Sequence, residues 1–392
     1  MAGLVEAGLP VALIGCGGMA GHHVRSWGEL AQKAPGLAVI DAVCDVDEAR
    51  ARAMAARLGE FQTPPPVYTD VARLLAERQP AAVDVVVPHS LHHTVVVDCL
   101  SAGAHVLTEK PVALTVRAAR RMIDAAARAG KTLAVAEQAR RTPEARALYW
   151  AVNRAGMIGE PRMLFAQRAS YSLRAVVGTP WRHDKLVAGG GWVLDGEVHY
   201  FDLLRHVFGD VAEVYGRLRA FEPVRYADAE QRTGAFRPTV EDAATAILSF
   251  ERGLLATFSW THAAPGRSLR QTRYYGSEGS LDDEGLTRKD GTQLPLAEVR
   301  AGFLASLSES EREAFFPQGI TDGVTIELHD FVMAVRDGHP PEIDGLEGLR
   351  DMAVAEAIYE SDAANRPVSV KDVLDGRIDA YQRPIDEHWH LR

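Results

Sequence analysis

Cysteine is scarce in this chain. Cys16, Cys44 and Cys99 are the full complement, the number is odd, and none forms a C-x-x-C pair. That excludes a disulfide framework and fits a reducing cytoplasm. No stretch approaches the ~20 uninterrupted apolar residues of a membrane span. The apolar beginning, Met1 to Gly21, lacks the basic segment of a secretory leader and ends in a glycine cluster. It therefore reads as a strand and turn. Positive charge is also in deficit: the formal net charge is −10. Nucleic acid and anionic membrane surfaces attract excess Lys and Arg, so neither is an expected partner. Internal repeats and low-complexity tracts are lacking as well.

What remains is an ordinary globular composition, 47% hydrophobic and 24% charged, long enough in 392 residues for two or three domains. Up to about residue 140 short β-rich runs alternate with helical stretches. Strands are expected at Val11–Ile14, Leu37–Cys44, Asp84–Val87, His105–Leu107 and Thr132–Ala136. Helices are expected from the glycine cluster to Ala34, then at Glu48–Leu58, Thr94–Ala102 and Thr115–Ala129. Such alternation implies parallel strands with helical crossovers. Beyond Arg140 the pattern changes. Pro143–Ala155 reads as a linking helix. Arg162–Tyr171, Val211–Phe221, Ala243–Phe250, Leu254–Thr261 and Arg270–Tyr275 read as strands of an antiparallel or mixed sheet, with a helix at Gly196–Phe208. Glu222–Glu241 and Glu284–Gly319 read as exposed excursions, and two helices follow at Thr321–Arg336 and Leu346–Ala364. The expected architecture is an α/β nucleotide-binding domain over 1–140 and an α+β domain over 141–392, with a late helix returning to the first.

Gly15-Cys16-Gly17-Gly18-Met19-Ala20 is a G-x-G-x-x-A fingerprint placed after a strand and before a helix. The first glycine makes the tight turn, the second admits a pyrophosphate, and the third position must be small for helix–strand packing. Gly18 and Met19 line the same loop. An ordinary glycine turn is the competing reading, and the second strand decides against it. That strand ends at Asp45, whose carboxylate can accept from both ribose hydroxyls and would repel a 2′-phosphate. NAD is therefore expected over NADP. The 25 residues from Ala20 to Asp45 are slightly more than the ~20 of the usual spacing, which a long first helix accommodates. Asp47 reads as the N-cap of the next helix.

Three motifs in order, Gly15–Ala20, Glu109-Lys110-Pro111 and Gly189-Gly-Gly-Trp-Val-Leu-Asp195-Gly-Glu-Val-His199, resemble those of the Gfo/Idh/MocA oxidoreductases, from about Pro10 to Val370. The resemblance implies a Rossmann domain, an open-faced C-terminal sheet, and NAD(P)-dependent redox chemistry at a sugar or polyol carbon. It also implies assembly as a homodimer or homotetramer. Residue by residue it implies catalytic roles for Lys110, Asp195 and His199. It sets Pro88, His92, Glu109, Gln138, Trp181 and Arg182 with the cofactor contacts, and it implies a cis Lys110–Pro111 peptide. Glu197 departs from the pattern, standing where a small or apolar residue is usual.

Read on their own, Asp195, His199, Asp202 and His206 follow a 4, 3, 4 spacing and form one polar stripe of a helix. A solvated amphipathic face is the plain alternative. The glycine triplet before the stripe favours a site, because it lets another segment or a ligand come close. His206 reads as structural. A metal is not expected, since Glu197 points away from Asp195 and His199 on a helix and three ligands cannot converge. Two other functions use the same cofactor: a redox-neutral NAD-dependent glycosidase or lyase, and a non-enzymatic NAD and sugar sensor.

Overall fold

The computed structural model describes residues 8–172, 179–228 and 230–392. The chain divides into two compact units. One comprises the residues up to Ala113 with Ala118–Thr142 and Glu309–Leu349. The other comprises Leu114–Arg117, Pro143–Ser308 and Arg350–Arg392.

The first unit is built on six parallel strands. They are β1 (Leu9–Ile14), β2 (Ala38–Cys44), β3 (Val67–Tyr68), β4 (Ala82–Val85), β5 (His105–Glu109) and β6 (Leu133–Ala136), in the order β3-β2-β1-β4-β5-β6. Residues 11–14 and 82–85 are all buried, because helices cover both faces of a parallel sheet. The crossovers are α1 (Ala20–Lys33), α2 (Glu48–Leu58), α3 (Val71–Arg78), α4 (His89–Ser101) and α5 (Val116–Ala129). Strand order reverses at β1, whose neighbours are β2 and β4. Such a switch point opens a crevice at the carboxyl ends of the strands. A late helix, Gly323–Asp337, packs on α1, where Asp322 caps its N-terminus and receives a hydrogen bond from Ser26.

Two expectations need correcting here. The segment Val67–Arg78 holds a short strand and a helix that the pattern did not suggest. The fourth crossover helix begins at His89, five residues before Thr94. Pro88 supplies its N-cap position with φ −57°, and the polar first turn His89-Ser90 is buried rather than solvated, so hydrophobic periodicity alone starts the helix too late.

The second unit carries a nine-stranded sheet. Its strands are β7 (Pro161–Ala169), β8 (Val211–Arg219), β11 (Ala243–Phe250), β12 (Leu255–Thr261), β13 (Leu269–Gly276), β14 (Gly279–Asp282), β15 (Gly285–Arg288), β16 (Gln293–Pro295) and β17 (Val368–Ser369). Among the described residues only the β7–β12 pair of this sheet is parallel; the others are antiparallel. Burial alternates along β8 and β11 with period two, the mark of a sheet with one covered face. The covered face meets the helix Val198–Phe208 through Phe201–Phe258 and Phe208–Tyr274 ring contacts. Gly216 lies so close to the helix Gly345–Ala364 that a Cβ there would sit 2.9 Å from the Ile358 carbonyl oxygen.

The two excursions are ordered. Glu222–Glu241 contains a hairpin of β9 (Arg225–Asp228) and β10 (Thr233–Phe236). The stretch 284–319 supplies β15, β16 and the helices Leu296–Ser306 and Glu309–Phe315. No described helix is long and apolar enough to cross a membrane.

Candidate active site

The first unit presents a cradle for a dinucleotide. Gly15 has φ +95°, and a Cβ there would lie 2.2 Å from the Val86 carbonyl oxygen, so this turn requires glycine. Gly17 and Gly18 face open space. Helix α1 starts at Ala20, which is fully buried, and no side chain caps it. An uncapped helix N-terminus beside two bare glycines suits a pyrophosphate. Met19 occupies the N-cap position. Asp45 follows β2 and leans onto the loop, accepting from the Cys16 amide at 2.7 Å and from the Asp47 amide at 2.9 Å. Asp47 caps α2, accepting from the Ala49 and Arg50 amides. The cradle thus has the donors, the space and the carboxylate that NAD requires.

At the end of β5, Glu109 is buried and Lys110 is half-buried, and the Lys110–Pro111 peptide is cis, as the resemblance implies. The Glu109 carboxylate accepts from the Lys110 amide at 2.9 Å and from His23 Nε2 at 3.0 Å. His92 lies in the first turn of α4. Its ring is fully buried, with Nδ1 3.0 Å from the Pro111 carbonyl and Nε2 3.0 Å from the Val87 carbonyl. Neutral, the ring carries a single N–H, so it donates to one of these two carbonyls and only packs against the other. Burial, and then His89 beside it, push its pKa down to about 4. Gln138 stands just past β6, half-buried, and its carbonyl oxygen packs against Gly323, where a Cβ would come within 2.9 Å.

In the second unit the segment Gly189–His199 forms an anchored turn. Gly189 has φ +84° and packs on Leu114; Gly190 packs on the Tyr359 hydroxyl; Gly191 packs on the Glu241 carboxylate. A Cβ at any of the three would fall within 3 Å of those groups. The glycines therefore admit protein, not only ligand. The Glu241 carboxylate accepts from the Gly191 and Val193 amides at 3.0 Å each and from the Tyr359 hydroxyl at 2.9 Å. Burial raises its pKa, and the bonds it accepts oppose that rise.

Asp195 closes the short helix Trp192–Asp195, and His199 lies in the first turn of the next helix, Val198–Phe208. The polar stripe is therefore broken at Gly196, over which the Trp192 indole lies. Asp195 and Asp202 are buried, which removes the solvated-face reading. Asp195 pairs with Arg182, whose guanidinium stacks 4.8 Å from the Trp181 ring. His199 is half-buried. His206 stacks on Tyr149 with centroids 4.6 Å apart. Glu197 is drawn to Arg168 on β7 at 2.7 Å. Burial raises the Glu197 pKa, and Arg168 counters it.

Several residues around this turn carried no local signal. Glu241 and Tyr359 lie 50 and 165 positions from the amides they meet. Arg225, on the β9–β10 hairpin, bridges the His183 ring and Asp242 and so fixes the segment that bears Arg182. His183 is driven down to about 4 by burial, then by Arg225 and Arg182. Trp192, Trp260 and His262 form an aromatic cluster beside Asp195, with ring centroids 4.7 to 6.3 Å apart.

A Rossmann sheet with an acidic residue just past β2 and an uncapped glycine loop is the architecture of a dinucleotide-binding protein. Residues 9–137 match the NAD-binding Rossmann-fold model of the GFO_IDH_MocA oxidoreductase family, and residues 150–282 match a GFO/IDH/MocA C-terminal domain. The chain belongs to the Gfo/Idh/MocA family and is an NAD-dependent oxidoreductase. D-apiose dehydrogenase of Paraburkholderia graminis is 29% identical over 377 residues, covering 92% of this chain and 90% of that one. Levoglucosan dehydrogenase of Pseudarthrobacter phenanthrenivorans is 28% identical over 395 residues, covering 93% and 99%. Among solved structures, an oxidoreductase domain protein from Kribbella flavida superposes with TM-score 0.75 at 29% identity, covering 93% and 100%. A levoglucosan dehydrogenase solved with NADH and L-sorbose superposes with TM-score 0.76 at 23% identity, covering 93% and 99%, and shows the shared fold.

Proposed function

We propose that the chain oxidises a secondary hydroxyl of a sugar or polyol, or reduces the matching ketone, with NAD as the redox partner. The observation that carries this reading is the anchored turn. A buried Asp195 paired with Arg182 stands four positions before a half-buried His199, held by Glu241 from below. Relatives named for apiose and levoglucosan support a sugar-like substrate.

NAD, when bound, supplies the hydride acceptor. Asp45 accepts from the ribose hydroxyls, while Gly17 and the α1 N-terminus hold the pyrophosphate. Pro88, His92, Glu109 and Gln138 shape the strand ends that carry it, and Trp181 and Arg182 complete the assigned cofactor contacts. Oxidising an alcohol also releases the hydroxyl proton, and histidine is the side chain best suited to take it near neutral pH. His199 is assigned as that base. Asp195 binds the substrate and orients it, and Lys110 donates to the reacting oxygen.

A second copy of the chain is proposed to cover the exposed face of the nine-stranded sheet. On that face Tyr215 pairs in register with Ile247, Ile247 with Thr257, and Thr257 with Phe165, which meets Tyr275 edge-on at 5.9 Å. Ile247 is 51% exposed and Phe165 39%, and a contiguous apolar patch of this kind marks an interface. Light scattering should give a multiple of 42.6 kDa; the monomer mass at micromolar protein would contradict it.

The chemical reading is tested by incubating the protein with NAD and a panel of sugars, inositols and glycosides while following NADH absorbance. Accumulating NADH is the expected result. Glycoside cleavage without NADH would indicate the redox-neutral glycosidase or lyase. Cofactor binding with no turnover on any member would indicate the sensor.

A further inference from the structure

The Glu109-Lys110-Pro111 turn does not stand alone on its strand. His23, the fourth residue of α1, is fully buried with the imidazole between two carboxylates. Its Nδ1 lies 2.9 Å from Asp84 Oδ2 on β4, and its Nε2 lies 3.0 Å from Glu109 Oε1 at the end of β5. Trp27, one turn further along α1, donates its indole N–H to the same Asp84 oxygen at 2.9 Å. The other Glu109 oxygen accepts from the Lys110 amide at 2.9 Å. An ionised carboxylate only accepts, so both ring nitrogens of His23 must donate, and the ring is an imidazolium.

We propose that His23 is a positioning residue: as a buried imidazolium it clamps Glu109, and through Glu109 it fixes the backbone at Lys110 and ties the cofactor-binding helix to the catalytic turn.

The charged groups that face His23 fit this assignment. Burial opposes the charge, but Asp84 and then Glu109 outweigh burial and hold the imidazole well above its ordinary range. From the helix Gly323–Asp337, Glu327 faces the same cluster. Both its oxygens are buried with no hydrogen-bond partner. Burial raises its pKa far above the carboxylate range, Glu109 and Glu137 add to the rise, and His23 and Arg141 oppose it. Burial thus disfavours charge on Glu327, which makes no hydrogen bond to the imidazolium and leaves that contact to Asp84 and Glu109. The arrangement resembles the carboxylate–histidine pairs that orient ligands at metal sites with the order reversed: here the histidine holds the carboxylate, and the carboxylate holds a peptide amide.

The inference rests on the assignment of Lys110 as catalytic, and the test separates the two. The chain has six lysines, so lysine-selective 15N labelling gives six backbone amide resonances, of which Lys110 is identified by K110M. In H23Q the Lys110 amide should shift and exchange faster with solvent while the other five stay in place. E109Q, which preserves size and leaves α1 untouched, should move the same resonance. In NADH assays with the best substrate of the panel, H23Q should lose about 10- to 100-fold in kcat, the scale of a misplaced catalytic group, with KM and the NAD Kd close to wild type. H23Q/K110M should be no slower than K110M, because both changes act on one group. A Lys110 amide unmoved in both variants overturns the proposal, as do losses that multiply in the double variant. Wild-type turnover in K110M removes the Lys110 assignment itself. An inactive K110M beside an unchanged H23Q removes only the role of His23.

Discussion

In the first unit the functional groups lie close along the chain. Gly15 to Ala20 form one loop, Asp45 ends the adjacent strand, and Glu109 and Lys110 follow one another. In the second unit the functional turn is short, but everything that fixes it comes from elsewhere: Glu241 and Tyr359 beneath the glycines, Arg182 on Asp195, Arg168 on Glu197, and Arg225 behind His183. A cofactor used in common by many proteins is bound by backbone geometry, which a compact motif can encode. A particular substrate is met by side chains, and these are held by buried long-range pairs that differ from protein to protein. Damage should therefore differ in kind: cofactor affinity suffers from changes in the glycine loop and at Asp45, and turnover and stability from changes around Gly189–His199, while Lys110 and the His23–Glu109 pair that holds it are the place in the first unit where turnover is expected to suffer.

The largest effect is expected at the base. His199→Ala should lose about 10²- to 10⁴-fold in turnover while NAD binding survives, as read from steady-state NADH assays and NAD titration. Near-normal turnover would return the proton to Lys110. Next is the anchor. Glu241→Ala leaves two amides and a hydroxyl unpaired in a buried site and should cost about 2–5 kcal/mol in urea unfolding. A loss under 1 kcal/mol would show that the glycine turn holds itself.

Acid should reveal buried neutral histidines in both units. His92 and His183 titrate near 6.5 in the unfolded chain and near 4 when folded. Their contribution is complete above pH 6.5 and drains as pH falls toward 4, because the unfolded chain takes up protons that the folded one refuses. For the fully buried His92 the loss reaches about 3 kcal/mol. His23 has the opposite sign: its folded pKa is raised, so its stabilisation is complete below 6.5 and is lost as alkaline pH strips the proton. Denaturation midpoints across pH 4 to 8 in H92N and H183N should flatten the acid limb, and an unchanged limb would refute the assignment.

The smallest change, and the sharpest contrast, is Asp45→Ser. It should weaken NAD by about 10- to 100-fold, the loss of a charged hydrogen-bond acceptor, relax the preference over NADP, and leave the second unit intact. Tighter binding of NADP than NAD by the unmodified protein would contradict the ribose assignment.

The same contrast explains what the sequence could convey. The Gly15–Ala20 loop, the Asp47 cap and the central strands of both sheets follow from glycine placement, strand patterning and short spacings, while β3 and β14–β17 at the sheet edges do not. Helix α3 was hidden behind the prolines of 64–66, and the start of α4 behind a first turn whose polar residues are buried. Asp195 and His199 were legible as a pair, but the break at Gly196 was not, because it depends on where the Trp192 ring lies. Glu241, Tyr359, Arg168 and Arg225 had no local signature. A buried carboxylate and a surface one look alike in a sequence, and only the tertiary contact separates them. His23 sits three residues beyond the fingerprint read from the loop, beside His22, and nothing local distinguishes the buried imidazole from its exposed neighbour.

The central claim is net hydride transfer from a carbinol carbon to the nicotinamide. The direct measurement uses a carbon-deuterated polyol or sugar from the active panel and the mass of the reduced cofactor. The account predicts NADH that accumulates and carries one deuterium. Unlabelled NADH, or substrate conversion with no accumulated NADH, would contradict it.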